Sequence, residues 1–193
     1  MLKFLSKLSI INYFRPSLFV NNVSEISISG LWSRGFRMII CDLDNTLAPH
    51  FTKTPTAMAI NFVKEAKEQG FIFVVVSNNT KKRVSEFCKK LNVDDYVYNA
   101  KKPILRKTKK VIEKYKFDIS DIIFIGDQII TDIWISNRLQ AKSILTLPIV
   151  DSVNSRNGFI LKFLENNIYR YMQHKNLLNN NVDLDEKETY EVL

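Results

Sequence analysis

Phe71-Ile72-Phe73-Val74-Val75-Val76 is an unbroken apolar run, set off by Gly70 before it and Ser77-Asn78-Asn79 after it. A run of this kind reads as a strand buried on both faces, since a half-exposed strand would alternate apolar and polar residues. Burial on both faces implies a parallel sheet with helices packed on either side. The rest of the chain supplies the matching elements. Residues 37–41 and 121–125 read as further buried strands, 96–98 as a short strand and 142–147 as the last one. Helical patterns cover 56–69, 80–91, 103 to about 115, and 131–139, and Gly158 precedes another that runs to about Gln173. The expected fold is α/β: a three-layer Rossmann-like sandwich with helices on both faces of a parallel sheet.

At 193 residues the chain suits a single domain with a substantial core. Low Gly and Pro content argues against a turn-rich β-sandwich. Three stretches are expected: a basic amphipathic segment over 1–34, the α/β domain over 35–175, and an acidic, frayed tail over 176–193. The tail holds five acids and one base, which leaves +12 of formal charge on residues 1–175. A body that basic favours anionic partners: phosphorylated substrates, nucleic acid or an anionic membrane surface. No acid occurs before Glu25, and Met1, Phe4, Leu5, Leu8 and Ile11 fall at helical spacing. Two readings of residues 1–20 stand: a helix packed on the domain, or an interfacial helix on anionic lipid. A cytoplasmic protein, peripheral at a membrane, fits that pattern. An organellar transit segment fits it too, which would place the protein in the mitochondrial matrix. No run approaches the ~20 apolar residues of a membrane span. Cys41 and Cys88 read as buried thiols rather than as a disulfide or metal ligands.

The polar residues of interest gather at strand ends, where ligands bind in such sheets. Asp42 and Asp44 follow the run Met38-Ile39-Ile40-Cys41, with Thr46 close by. Two carboxylates two residues apart lie on one side of an extended chain. Crowding them costs energy unless a cation or a reaction uses both. Ser77-Asn78-Asn79 ends the second strand, Lys101-Lys102-Pro103 follows the third, and Gly126-Asp127 with Thr131-Asp132 follows the fourth. Phosphoryl transfer to a carboxylate needs this set: a nucleophile, a proton donor for the leaving oxygen, and cations to offset phosphate charge. Mg²⁺ takes oxygen ligands and relies on one or two carboxylates, which Asp42 and Asp127 would supply.

The DxDxT element, the apolar strand ending in Ser, the Lys-Pro pair and the GDxxxTD element resemble, in order and spacing, the haloacid-dehalogenase-like (HAD) phosphatases. Arg15-Pro16-Ser17-Leu18-Phe19-Val20, Ser77-Asn78-Asn79, Ala100-Lys101-Lys102-Pro103, Gly126-Asp127-Gln128 and Gly158-Phe159-Ile160 narrow the resemblance further. They look like the YqeG family, subclass IIIA phosphatases similar to mitochondrial phosphatidylglycerophosphatases. The resemblance spans roughly residues 13–173. It implies that Asp42 is the nucleophile and Asp44 the proton donor and acceptor. It implies that Ser77, Asn78 and Lys102 bind the phosphoryl group. Mg²⁺ would be held by Asp42, the backbone carbonyl of Asp44, and Asp127, with Thr46 and Asp132 in support. Plainer roles stand beside these: a helix cap for Ser77, a first-turn acid facing the helix dipole for Asp132, and turn formation for Asn78 and Asn79. His50 and His174 read as surface residues, and the aromatics Phe159, Phe163 and Tyr169 as core packing.

The interval from Asp42 to Ser77 holds one loop, one helix and one strand, and that from Ser77 to Lys102 again one helix. Neither has room for a cap domain, so the site is expected to be open. An open site suits a phosphate carried on something large, and a lipid headgroup agrees with the resemblance. A soluble phosphatase acting on protein, nucleotide or sugar phosphate is the alternative within the same fold. Nucleic-acid binding by the basic body is the alternative from another class, although no RNA-binding motif with stacking aromatics is present.

Overall fold

The structure is a computed structural model and describes residues 9–150 and 159–178. The expected helical pattern over residues 1–8, Gly158, and all but the first residues of the acidic tail lie outside them. Among the described residues six strands form one sheet: β1 (Leu18–Val20), β2 (Met38–Cys41), β3 (Ile72–Val76), β4 (Asp95–Val97), β5 (Ile122–Gly126) and β6 (Lys142–Thr146). Their order is β1-β6-β5-β2-β3-β4, and every pairing is parallel. The helices are α1 (Ile28–Ser33), α2 (Ala57–Gln69), α3 (Lys81–Leu91), α4 (Arg106–Tyr115), α5 (Trp134–Arg138) and α6 (Phe159–His174). No helix among the described residues is long and apolar enough to cross a membrane.

The period-2 geometry of the strands divides the core. Ile39 and Cys41 of β2, Phe73 and Val75 of β3, and Ile123 and Ile125 of β5 face one side. There they meet Ala59, Phe62, Val63 and Ala66 of α2, and Val84, Phe87 and Leu91 of α3. Met38, Ile40, Val74, Val76, Ile122 and Phe124 face the other side, against Val111 and Ile112 of α4 and Ile135 next to Leu139 at the end of α5. Both faces are dry, which is why the central strands carry no polar residue. Cys41 and Cys88 are buried free thiols. Burial lifts the Cys88 thiol to about 12, so it stays protonated.

The helix boundaries have local causes. Thr56 caps α2 by accepting from the Ala59 N–H, and Gly70 ends it in the left-handed conformation at φ 104°. Pro103 does not open α4 as its sequence position suggests; the helix begins at Arg106. Lys101 is left-handed at φ 60° and its carbonyl accepts from the Ile104 N–H, so residues 101–104 form a turn. The expected single helix over 131–139 is two elements, a π-helical turn (Ile129–Ile133) followed by α5.

The segment before residue 35 contributes to the same sheet. Leu18–Val20 pairs with Ile144–Thr146 as an edge strand, a strand absent from the sequence reading. Ahead of it the 3₁₀ turn Ser9–Phe14 is tied down by Asn137, whose Nδ2 donates to the carbonyls of Asn12, Tyr13 and Arg15. Of the basic segment over 1–20, residues 9–20 therefore belong to the fold.

Phe73 tests this arrangement. It lies mid-sheet with no exposed surface, its ring edge-on to Phe62 at a centroid distance of 5.9 Å. Phe73→Ala is expected to lower unfolding free energy by about 3–5 kcal/mol in urea titration. A change below about 1 kcal/mol would contradict its central place in the core.

Candidate active site

The sheet order reverses at β2, whose neighbours β3 and β5 lead away in opposite directions. A crevice opens there beyond the carboxyl ends of the strands. Asp42 sits at that point, its N–H donating to the Ile125 carbonyl at 2.9 Å. Beyond it the chain turns back through Asn45, left-handed at φ 68°, whose N–H donates to the Ala48 carbonyl at 2.7 Å.

Lys102 reaches the crevice from the turn after β4. Its Nζ lies 2.6 Å from Asp42 Oδ1 and 2.6 Å from Asp132 Oδ1, with all three side chains nearly inaccessible. Asn78 delivers it: Asn78 Oδ1 accepts from the Lys102 N–H at 2.6 Å, and Asn78 Nδ2 donates to the Lys102 carbonyl. Both ends of that amide are thus spent on the lysine backbone rather than pointed at a phosphate. Asp127, at the end of β5, accepts from the Thr46 hydroxyl at 3.0 Å. Asp132 Oδ2 accepts from the Gln128 N–H. Its carboxylate packs so tightly over Gly126 that a Cβ there would lie 2.4 Å from Asp132 Cγ. Ser77 is buried and is not the helix cap; Thr80 holds that position. Ser77 Oγ accepts from the Asn79 N–H at 3.0 Å, which leaves the hydroxyl proton to donate.

Asp44 points to different partners. Its Oδ1 accepts from Arg83 Nε at 2.6 Å and lies 2.6 Å from Arg83 Nη2, while its Oδ2 accepts from Asn79 Nδ2 at 2.9 Å. The same guanidinium donates to the carbonyls of Pro49 and Thr52 on the following loop. The sequence reading passes over Arg83, although its position carries a signal. Lys81, Lys82 and Arg83 open α3 with no acid in its first turn, the end where a helix dipole disfavours cations.

Electrostatics separate the two aspartates. Burial lifts the Asp42 carboxyl to about 7 against the pull of Lys102, with the Asp132 charge adding to the lift. Asp127 is pushed well above the usual carboxylate range by burial, then by the Asp42 and Asp132 charges, and the Thr46 hydrogen bond only partly offsets this. For Lys102, burial pulls downward, but Asp132 and Asp42 together hold the ammonium above its ordinary value. Asp42, Asp127 and Asp132 each place an oxygen within 4.8 Å of the others, facing one ammonium. An all-oxygen donor set with excess negative charge in a buried crevice fits a hard divalent cation.

The C-terminal helix also reaches the site. Glu165 of α6 accepts from the Ile129 N–H at 2.5 Å and from the Ile130 N–H at 3.4 Å, capping the π-helical turn that bears Asp132. Sequence reasoning misses this residue, yet Glu165 stands on the stripe of Ile168 and Met172, which pack on Ile129, Ile130 and Ile133. An acid on an apolar stripe is the available signal.

Burial raises the Glu165 carboxyl to about 7 from an ordinary 4.5. A folded-state pKa above the unfolded one means stability present below pH 4.5 and lost as pH rises through 7. The loss amounts to about 3 kcal/mol at most, from 1.36 kcal/mol per unit. Glu165→Gln keeps an acceptor and cannot ionise. Its melting temperature relative to the parent protein is expected to rise between pH 5 and pH 8; a pH-independent difference would refute the assignment.

Comparison with known proteins places the chain in a phosphatase family. The family model described as mitochondrial PGP phosphatase matches residues 2–150. The probable phosphatase YqeG of Bacillus subtilis is 34% identical over 151 residues, covering 78% of this chain and 85% of that protein. Among solved structures, a putative 3-deoxy-D-manno-octulosonate 8-phosphate phosphatase from Vibrio cholerae superposes with TM-score 0.52 at 12% identity. The match covers 79% of this chain and 91% of that one. An uncharacterized protein from Listeria monocytogenes serotype 4b superposes with TM-score 0.51 at 15% identity, covering 72% and 99%. The chain belongs to the mitochondrial PGP phosphatase family, with the probable phosphatase YqeG among its relatives.

Proposed function

We propose that this phosphatase is Mg²⁺-dependent, works through an aspartyl-phosphate on Asp42, and acts on phosphatidylglycerophosphate or a closely similar lipid phosphomonoester. The observation that carries the chemistry is the Asp42 carboxylate, fixed by Lys102 at the sheet's switch point and crowded by two further carboxylates. One Asp42 oxygen attacks phosphorus and the bond from phosphorus to the alcohol oxygen breaks. Asp44 gives its proton to that leaving oxygen, then takes one from the water that hydrolyses the acyl phosphate, so it ends as it began. Lys102 and the Ser77 hydroxyl hold the phosphoryl oxygens, and Asp132 keeps Lys102 in place. The carboxylates of Asp42 and Asp127 and the Asp44 carbonyl would hold Mg²⁺, which would offset phosphate charge.

Two features support the lipid. The matching family is described as a PGP phosphatase. Between β2 and β4 the chain holds only a loop, α2, β3 and α3, so a bulky substrate meets no cap in that interval.

The cation can be tested without turnover. Mg²⁺ at about a hundred times its Kd is expected to stabilise the protein by about 2.7 kcal/mol, read as a rise in melting temperature. Asp127→Asn is expected to abolish most of that rise. An undiminished rise would remove Asp127 from the ligand set.

For the substrate, phosphate release is measured with Mg²⁺ on phosphatidylglycerophosphate in mixed micelles and on phosphoprotein, nucleotide and sugar phosphates. Phosphatidylglycerophosphate is expected to give the highest kcat/KM. Asp42→Asn is expected to eliminate turnover of every compound. A better soluble substrate would overturn the lipid assignment, and full activity in the mutant would overturn the nucleophile.

A further inference from the structure

Asp44 has both carboxylate oxygens occupied, and the two partners come from different elements. Asn79 lies in the turn after β3 and Arg83 one helical turn further on, in α3. Arg83 approaches Oδ1 with Nε and Nη2, and Asn79 Nδ2 approaches Oδ2. The contact is built rather than incidental. The Arg83 side chain is 15% exposed and that of Asp44 20%. The remaining guanidinium donors are fixed on the Pro49 and Thr52 carbonyls, and the guanidinium carbon lies 4.6 Å from the centre of the Phe87 ring. Asn79 is anchored in turn: its N–H donates to Ser77 Oγ, and its Oδ1 accepts from the Thr80 N–H.

We infer that Arg83 and Asn79 form a two-sided clamp that positions Asp44 for proton transfer to and from the substrate oxygen. They act through Asp44 and are positioning residues rather than catalytic ones. The inference rests on the proposed acid–base role of Asp44. A carboxylate on a free side chain would sample several rotamers, only one of which can address the leaving oxygen. A guanidinium on Oδ1 and an amide on Oδ2 select one position before substrate arrives. Because Oδ2 accepts only the Asn79 hydrogen bond, its second lone pair is the place for the proton that passes to and from the substrate oxygen. The clamp also couples the loop over Pro49–Thr52 to α3, so the wall beside Asp44 and the acid itself share one anchor.

The need for a proton donor depends on the leaving group. An acidic phenol departs unaided, whereas an alkoxide must be protonated. The test compares kcat/KM for 4-nitrophenyl phosphate with that for glycerol 3-phosphate, in the full-length protein and in the Asp44→Asn, Arg83→Gln and Asn79→Ala variants. Asp44→Asn is expected to lose about 10²- to 10⁴-fold on the alkyl phosphate and far less on the aryl phosphate. Arg83→Gln and Asn79→Ala are expected to show the same selectivity at smaller size, about 10- to 100-fold on the alkyl phosphate and under roughly 3-fold on the aryl one. Asn79 hydrogen-bonds Asp44 but not the carbonyls of the Pro49–Thr52 loop that Arg83 holds, so Asn79→Ala decides the matter even where Arg83→Gln loosens the fold. Equal losses on both substrates in Asn79→Ala, or no loss on the alkyl phosphate, would overturn the clamp while leaving Asp44 as the acid. Equal losses in Asp44→Asn would overturn the acid–base reading itself, and the clamp with it.

Discussion

One ammonium between two carboxylates organises this molecule. Lys102 bridges Asp42 and Asp132 at 2.6 Å on either side, in a crevice from which water is nearly excluded. Burying such a group costs several kcal/mol per ion unless geometry returns it. The local structure around it is arranged accordingly. Asn78 spends its whole amide on the Lys102 backbone, Lys101 takes a left-handed conformation to aim the turn, and Gly126 leaves space that only a missing Cβ provides for Asp132. These features come from β3, the turn after β4, and β5, so the site exists only when the sheet is assembled. Stability and function share this contact.

The same crevice separates two aspartates that the sequence places side by side. Asp42 faces burial, Lys102 and two neighbouring carboxylates, and burial pushes its carboxyl up to about 7. Asp44 faces Arg83 and Asn79 in a half-open position. One group is thereby set among a cation and two further carboxylates, and the other is held in direction by a guanidinium and an amide. Environment, not residue type, divides the labour.

What was legible in the sequence follows from how strongly each element constrains its own residues. Ile39–Cys41, Phe73–Val76 and Ile122–Ile125 are dry on both faces, which forbids polar residues and makes the strands visible. Strand ends then gave the neighbourhoods of Asp42, Ser77, Lys102 and Asp127, and the family resemblance singled out Lys102 beside Pro103 over Lys101. The three residues of β1 are too short to show a period, and they depend on pairing with β6. Pro103 carries a helix-start signal, but the turn that delivers Lys102 takes precedence and delays α4 by three residues. The π-helical turn has no sequence signature, because its register is set by contacts at Gln128 and Glu165. For Asn78 the place beside Ser77 suggests phosphate, and only the fold shows both ends of its side-chain amide turned to the Lys102 backbone.

Both ends of the described chain converge on that π-helical turn. Ile11 and Phe14 approach it from the N-terminal side, with the Phe14 ring 5.6 Å from that of Trp134. Ile168 and Met172 approach from α6, and Glu165 of the same helix closes the two leading N–H groups. The turn begins two residues after Asp127 and carries Asp132, so its placement sets the carboxylates against Lys102. Neither terminal segment supplies a reacting group, yet both hold the backbone that does. A sheet whose catalytic residues hang from strand ends needs such outer supports, because each loop leaves the rigid layer before reaching the substrate. Here the support is apolar on one side and a single buried carboxylate on the other.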